Sequence, residues 1–155
     1  MYARDSAILA TPIGRILIEG GETVTRIMIG GVDEAARRGG GEAVRAALEQ
    51  LEAYFAGERR DFDLPLAPST TPRGEVLRAA IVSVGYGDTA SYGEVARTIG
   101  SSPRALGQAC RRNPFPIVIP CHRVTGGTGH YSAGEGLPTK NWLLNHERHW
   151  SMSDG

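Results

Sequence analysis

Residues 91–124 read SYGEVARTIGSSPRALGQACRRNPFPIVIPCHRV, and this stretch decides the fold of the second half of the chain. Ser91 and Glu94 have the spacing of a capping box, in which the hydroxyl and the carboxylate satisfy the free N–H groups of a new helix. Val95 and Ile99 face the core of that helix, and Gly100 is a natural stop. Ser102 is a second N-cap and Pro103 a good first helical residue, so another helix follows within a few positions. It spans Pro103 to Arg112. Helical spacing puts Leu106, Ala109 and Cys110 on one side and Arg104, Gln108, Arg111 and Arg112 on the other, the pattern of a recognition helix. Asn113 precedes Pro114 and is pushed out of the helical region, which ends the helix. The apolar run Ile117-Val118-Ile119 reads as a strand leading to Pro120-Cys121-His122-Arg123-Val124.

Upstream, Ala7-Ile8-Leu9, Arg15 to Ile18 and Thr25 to Ile29 are β-branched runs separated by turn residues, which predicts a meander. Gly39-Gly40-Gly41 breaks the chain. Val44, Ala47, Leu48, Leu51, Tyr54 and Phe55 then recur at helical spacing until Gly57, so one amphipathic helix covers a face of the sheet. Pro65, Pro68 and Pro72 mark a linker, and helical spacing resumes at Val76, Leu77, Ala80, Ile81 and Val84. Two domains result, residues 1–68 and residues 69–155. Downstream, residues 126–129 and 133–136 are Gly-rich loop, Pro138 opens a last helix holding Trp142, Leu143, Leu144 and Glu147, and the final residues are expected to be disordered.

The 155 residues contain 17 basic and 17 acidic side chains, yet the charge is uneven. Residues 1–68 carry 8 Arg against 11 acids, and residues 69–155 carry 9 Arg and Lys against 6. Between Glu94 and Glu135 lie Arg97, Arg104, Arg111, Arg112 and Arg123 with no acid. Such a stretch is either a solvated face or the footprint of a phosphate-binding one. Lys140 is the only lysine, which reads as coding bias. There is no signal segment and no apolar run long enough to span a bilayer, so the expected location is the cytoplasm, at the nucleoid if the cell is a prokaryote. A reducing compartment makes Cys110 and Cys121 two free thiols. With no Cys-x-x-Cys pair and no zinc spacing among the histidines, neither metal nor cofactor is expected.

A thiol beside an imidazole is a candidate nucleophile, although buried cysteine is more often inert core. Attack requires the thiolate, and burial opposes ionisation, so Cys121 needs a base or a nearby cation; His122 and Arg123 are the local candidates.

The segments SYGEVA, SPRALG, RNPFPIVIPCHRV and KNWLLNHE together resemble the O6-alkylguanine-DNA alkyltransferases, also called methylated-DNA–protein-cysteine methyltransferases, most strongly over residues 70–148. The resemblance implies an α+β fold: an N-terminal RNase H-like α/β roll and a mostly helical C-terminal domain with a helix-turn-helix and the active-site cysteine. It also implies minor-groove binding to double-stranded DNA with little sequence preference, by a monomer. The damaged base is flipped out, and the alkyl group of O6-alkylguanine, with O4-alkylthymine as a candidate second substrate, moves to a cysteine in one turnover. Carried over residue by residue, Cys121 is the alkyl acceptor, His122 takes its proton through a water, and Glu147 orients and charge-stabilises the imidazole. Tyr92 donates to guanine N3, Asn113 is the hinge between recognition helix and cysteine, and Arg104 is the finger that fills the gap in the stack. Ala105 lets the helix approach the groove, Gln108, Arg111 and Arg112 complete the DNA face, and the carbonyls of Cys121 and Val124 face the guanine amine. Around the alkyl pocket this chain departs from the family: HYSAGEGLPTK is altered in order and length, and either Tyr131-Ser132 or Ala133-Gly134 fills the pocket positions, so Ser132 and Gly134 are both candidates. A non-repairing damage-binding relative, a helix-turn-helix regulator and a cysteine hydrolase are the rival readings; the presence of Cys121 disfavours the first, and neither of the others explains why a basic helix precedes the thiol by one short connection.

Overall fold

The three β-branched runs form an antiparallel meander, β1 (Ser6–Thr11), β2 (Gly14–Gly20) and β3 (Val24–Ile29), with β2 in the centre. The computed structural model describes residues 5–126, 131 and 133–153. Register aligns Ala7 with Ile18, Leu9 with Ile16 and Ile18 with Ile27, so a row of apolar side chains lies across the sheet. Helix α1 (Glu42–Phe55) packs on all three strands through Val44, Ala47, Leu48 and Leu51. The outer edge of β1 is closed by Arg37: its backbone exchanges two 2.9 Å hydrogen bonds with Ile8, and its guanidinium donates to the Ser6 carbonyl and hydroxyl. An edge strand is thereby denied to other chains.

The chain divides into two compact units, Met1–Ala67 and Pro68–Gly155. The second is built from short elements. Helix α2 (Pro72–Val82) is capped by Thr71, whose hydroxyl accepts from the Gly74 N–H. A two-residue strand, β4 (Ala90–Ser91), runs directly into α3 (Tyr92–Thr98). Both halves of the expected capping box form: Glu94 N–H donates to the Ser91 hydroxyl at 3.0 Å and Ser91 N–H to the Glu94 carboxylate at 2.9 Å. Gly100 takes a left-handed φ of +62° to end the helix, and α4 (Pro103–Arg111) begins at Ser102, which accepts from Ala105 N–H. Helices α3 and α4 pack on one another.

Two expectations for the rest of this unit are corrected. Ile117-Val118-Ile119 is not a strand. Pro116 pairs only with Ile119 across a tight turn, and Ile117 takes φ +75°, the left-handed region that a β-branched side chain avoids at a cost of about 1–2 kcal/mol. The turn is held because Ile119 N–H donates to the Phe115 carbonyl at 2.9 Å and all three side chains are buried. Ile119, Pro120 and Cys121 then form an inverse γ-turn, with Pro120 at φ −81°, ψ 61° and Cys121 N–H donating to Ile119. Cys121–Arg123 is one turn of 3-10 helix, so the alternation of faces expected for a strand does not apply to Cys121 and His122. The second correction is at the C-terminal end: α5 (Leu137–Ser153) runs past Glu147 to Ser153 where disorder was expected. Between these segments β5 (Val124–Thr125) pairs in parallel with β4, which brings the residues after the cysteine beside Tyr92.

Candidate active site

Two elements, α4 and α5, converge on Cys121, which is only 4% exposed. From the end of α4, the Asn113 side chain ties the turn together: its Oδ1 accepts from Phe115 N–H at 2.9 Å, and its Nδ2 donates to the Ile119 carbonyl at 2.9 Å and to Cys121 Sγ at 3.2 Å. The amide that closes the turn thus also addresses the sulfur. Cys110, one turn earlier on α4, is also buried, 7% exposed, and its thiol is raised by the neighbouring Cys121 and then by burial. From α5, buried Lys140 donates to the Val124 carbonyl at 3.1 Å and sets a positive charge near the pair. The Cys121 thiol is held below the ordinary cysteine range, first by the neighbouring Cys110 thiol, against the opposing effect of burial, and then by the Asn113 amide and Lys140. His122 is not among the groups that lower it. Both cysteines are free.

His122 and Glu147 are each 0% exposed and meet at 2.7 Å through His122 Nε2. Arg123 clamps the same carboxylate, Nε to Oε1 at 2.8 Å and Nη2 to Oε2 at 3.1 Å, while its Nη1 donates to the Val84 carbonyl at 2.8 Å just beyond α2. Burial pushes the Glu147 carboxyl up, but hydrogen bonds and charge from His122 and Arg123 outweigh it and hold the group at about 2. Burial pushes the imidazole down and keeps it neutral. An ionised carboxylate can only accept, so the imidazole proton sits on Nε2 and leaves Nδ1 as a bare lone pair. That atom is buried with no hydrogen-bond partner among the described residues. The ring is thereby held in one tautomer.

Tyr92, Arg104, Gln108 and Arg111 line one groove of about 610 Å³, together with Gly93, Gly107 and Gly126. No acid lines it among the described residues. Gly126 lies against the Tyr92 ring, so a Cβ there would stand 3.6 Å from it. Burial, then the nearby thiols, raises the Tyr92 hydroxyl, which stays protonated at neutral pH. Ala105 and Arg112 do not join this groove. They line a separate recess of about 410 Å³ against the start of α2, with Arg78 and Asn113, and Gln108 borders both. The Val124 carbonyl already receives the Lys140 ammonium. Gly134 adopts φ +58° with Thr139 packed where a Cβ would be, so its role in the described structure is a tight turn before α5. Ser132 lies outside the described residues. Tyr131 is buried with its hydroxyl unpartnered among them, near the Cys121 thiol. No group of three or more His, Cys, Asp or Glu among the described residues could hold a metal ion. No helix among them is long and apolar enough to cross a membrane.

The comparisons with known proteins cover both units. Residues 6–68 match the model of the 6-O-methylguanine DNA methyltransferase ribonuclease-like domain, and residues 73–149 the model of the DNA binding domain of the same protein. The constitutive methylated-DNA–protein-cysteine methyltransferase of Bacillus subtilis is 37% identical over 153 residues, 89% of this chain and 92% of that one. The chain belongs to the methylated-DNA–protein-cysteine methyltransferase family. A family member from Mycolicibacterium paratuberculosis is 41% identical over 149 residues, covering 91% of this chain and 90% of its own. The crystal structure of the Mycobacterium tuberculosis O6-methylguanine methyltransferase superposes with a TM-score of 0.77 at 32% identity, over 93% of this chain and 92% of that one. A crystal structure of the M. tuberculosis protein in complex with DNA gives 0.76 at 34%, over 92% of each. The methyltransferase fold of a sheet-rich N-terminal and a helical C-terminal part is therefore shared.

Two residues of this methyltransferase site escaped the sequence reading. Lys140 was read as coding bias, although a lone lysine seven residues before Glu147, two helical turns on the same face, was a signal that both serve one site. Cys110 was read as core. Its effect on the Cys121 thiol has no signature in spacing, because the turn at 113–120 between the two cysteines was itself misread.

Proposed function

We propose that this chain repairs alkylated DNA by direct reversal, moving the alkyl group of O6-alkylguanine in a duplex to Cys121 in a single turnover. The observation that carries this reading is the acceptor sulfur itself: buried, its pKa lowered, and addressed by the Asn113 amide at 3.2 Å from the end of the arginine-bearing helix. The Cys121 thiolate attacks the alkyl carbon in line with the C–O6 bond; a C–S bond forms as C–O6 breaks, and the electron pair leaves on guanine. His122 Nδ1 is the acceptor of the thiol proton through a water, and Glu147 balances the imidazolium charge that results. Tyr92, protonated and in the groove, donates to the leaving base at N3. The product is a thioether, which thiol exchange does not cleave, so each molecule acts once.

The DNA-facing element of this reading is the α3–α4 pair as a helix-turn-helix, with α4 in the minor groove, Arg104 in the gap left by the flipped base and Arg111 on phosphate. The acid-free groove of Tyr92, Arg104, Gln108 and Arg111 supports it. Ala105 and Arg112, being in the other recess, belong to its flank. Residues 1–68 act as scaffold, with the RNase H-like roll as their fold type, and residues 69–155 carry binding and chemistry; the protein works as a monomer with little sequence preference.

The test is intact mass spectrometry with peptide mapping after incubation with a duplex carrying one O6-methylguanine. One methyl added on Cys121 with guanine restored in the DNA is the expected result. Tight binding with no mass change would move the chain to the non-repairing damage binders.

A further inference from the structure

Arg123 is a buried cation to which the transfer chemistry above gives no part. It is 4% exposed, and three of its nitrogen atoms are hydrogen-bonded. Nε and Nη2 donate to the two oxygens of Glu147 at 2.8 and 3.1 Å, and Nη1 donates to the Val84 carbonyl at 2.8 Å. Held by this fork, the carboxylate cannot swing away from the ring, and the oxygen that takes Nη2 is the one that takes His122 Nε2 at 2.7 Å.

The charges of these three side chains decide the state of the imidazole. A guanidinium does not deprotonate in a protein. With Glu147 ionised, a neutral ring leaves the trio without net charge, whereas an imidazolium would leave a buried positive charge. Without Arg123 the balance reverses, because a neutral ring would leave the carboxylate unpaired and uptake of a proton would restore neutrality. Burying an uncompensated charge is costly, so each set settles in its neutral state. Two donors on one oxygen stand within about 6 Å of each other, a range in which a neighbouring charge shifts a titration by roughly one to three pH units. The directions agree: burial lowers the imidazole first, Glu147 opposes it, and Arg123 and Lys140 lower it further. The Tyr131 hydroxyl, under the field of Glu147, and the Tyr86 ring, 5.6 Å from the guanidinium carbon, are further titratable groups set against the trio, and Cys121 precedes it in the chain.

We propose that Arg123 is a positioning residue for the proton relay: by clamping both oxygens of Glu147 and balancing its charge, it keeps the His122 imidazole neutral at rest, with Nδ1 open to take the thiol proton. Its part in transfer rests on His122 being that acceptor, as proposed above. Lysine is an incomplete substitute, since one ammonium keeps the charge but not the planar fork that spans two carboxylate oxygens.

The test is the protonation state of His122 in the full chain, read from two-bond proton–nitrogen correlation spectra of isotope-labelled imidazoles between about pH 5.5 and 8.5. His122→Gln assigns its signals among the four histidines. The parent should show one neutral tautomer with its proton on Nε2. Arg123→Gln keeps donors for the carboxylate but removes the charge, and its ring should bind a proton about tenfold more tightly or better, a midpoint higher by at least about one pH unit. The acid limb of methyl transfer from an O6-methylguanine duplex should move up with it. Adding Glu147→Gln to Arg123→Gln removes both charges together and should bring the midpoint back down, and Arg123→Lys should leave the ring neutral at pH 7. An Arg123→Gln midpoint equal to the parent's, or an imidazolium at pH 7 in Arg123→Lys, would overturn the proposal. Should Arg123→Gln fail to fold, Glu147→Gln against the double variant reads the same charge: the midpoint should be lower where the guanidinium remains, and equal midpoints would overturn it too. If the parent accepts no methyl from DNA while these midpoints move as expected, the repair reading has failed and the hold of Arg123 on the ring stands.

Discussion

The two units solve the burial problem in opposite ways. Among the described residues of Met1–Ala67, the buried side chains are apolar apart from Ser6, and they sit on a meander and one helix with regular spacing. In Pro68–Gly155 the interior also takes in His122, Arg123, Thr139, Lys140 and Glu147. Burying charge is costly unless every polar atom finds a partner, and here one carboxylate serves an imidazole, a guanidinium and, at 3.4 Å, the Gly87 N–H. A regular apolar core specifies a shape. A paired ionic core specifies where one lone pair and one sulfur lie, and it leaves its unit sensitive to the loss of any single partner.

Breaking that comparison at its most sensitive point, Glu147→Ala leaves Arg123 and His122 buried without a counter-charge and should cost about 3–5 kcal/mol. Urea denaturation followed by tryptophan fluorescence reads it, because Trp142 and Trp150 both lie in the second unit. The same pairing sets a pH response. The folded Glu147 value, about 2, lies below its ordinary 4.5, and buried His122 is also lowered from 6.5. For both groups the unfolded chain binds protons first, so the stability they contribute is complete above pH 6.5 and declines as pH falls, through His122 first and then from 4.5 toward 2. Tryptophan-monitored urea midpoints at pH 7, 5.5 and 4 should fall in that order. A flat series would mean that the ionic core is not coupled to folding.

In the first unit the matching change is Leu51→Ala, a fully buried side chain on α1, expected to cost about 2–5 kcal/mol by cavity formation, with little pH dependence. Far-UV circular dichroism in urea checks it. Arg104→Ala sharpens the functional side: exposed on α4, it should leave stability within about 0.5 kcal/mol while slowing transfer from duplex DNA by about tenfold or more, with much less effect on free O6-benzylguanine. Equal losses on the two substrates would remove it from base flipping. Smallest is Ser91→Ala, which deletes half of the capping box at Tyr92 and should cost about 1 kcal/mol in a thermal or urea series.

Legibility in the sequence followed the same division. The meander, α1, the capping box and the bounds of α3 and α4 were readable because period and caps are local properties. The turn from Asn113 to Cys121 was not. Three apolar residues read as a strand, and nothing local announces that Ile117 takes a left-handed conformation when burial of its neighbours compensates. The two-residue pair of β4 and β5 is too short to carry any pattern. Of the site, Cys121 and His122 were legible as a thiol beside an imidazole and Glu147 came from resemblance, and the structure brings His122 and Glu147 together at 2.7 Å. Lys140 and Cys110 depend on how the turn folds, and so lay beyond spacing alone.

With Cys121 as the acceptor proposed above, its 4% exposure has a meaning for a protein that works once. A turnover catalyst that loses a fraction of its cycles to stray electrophiles loses only time, whereas here each adventitious adduct on the sulfur removes a whole protein molecule. Keeping a reactive thiolate beneath the surface, reachable only by a group inserted into the site, extends the shelf life of the stored reagent. Its useful concentration in the cell is then set by how many lesions it has met and not by how long it has waited.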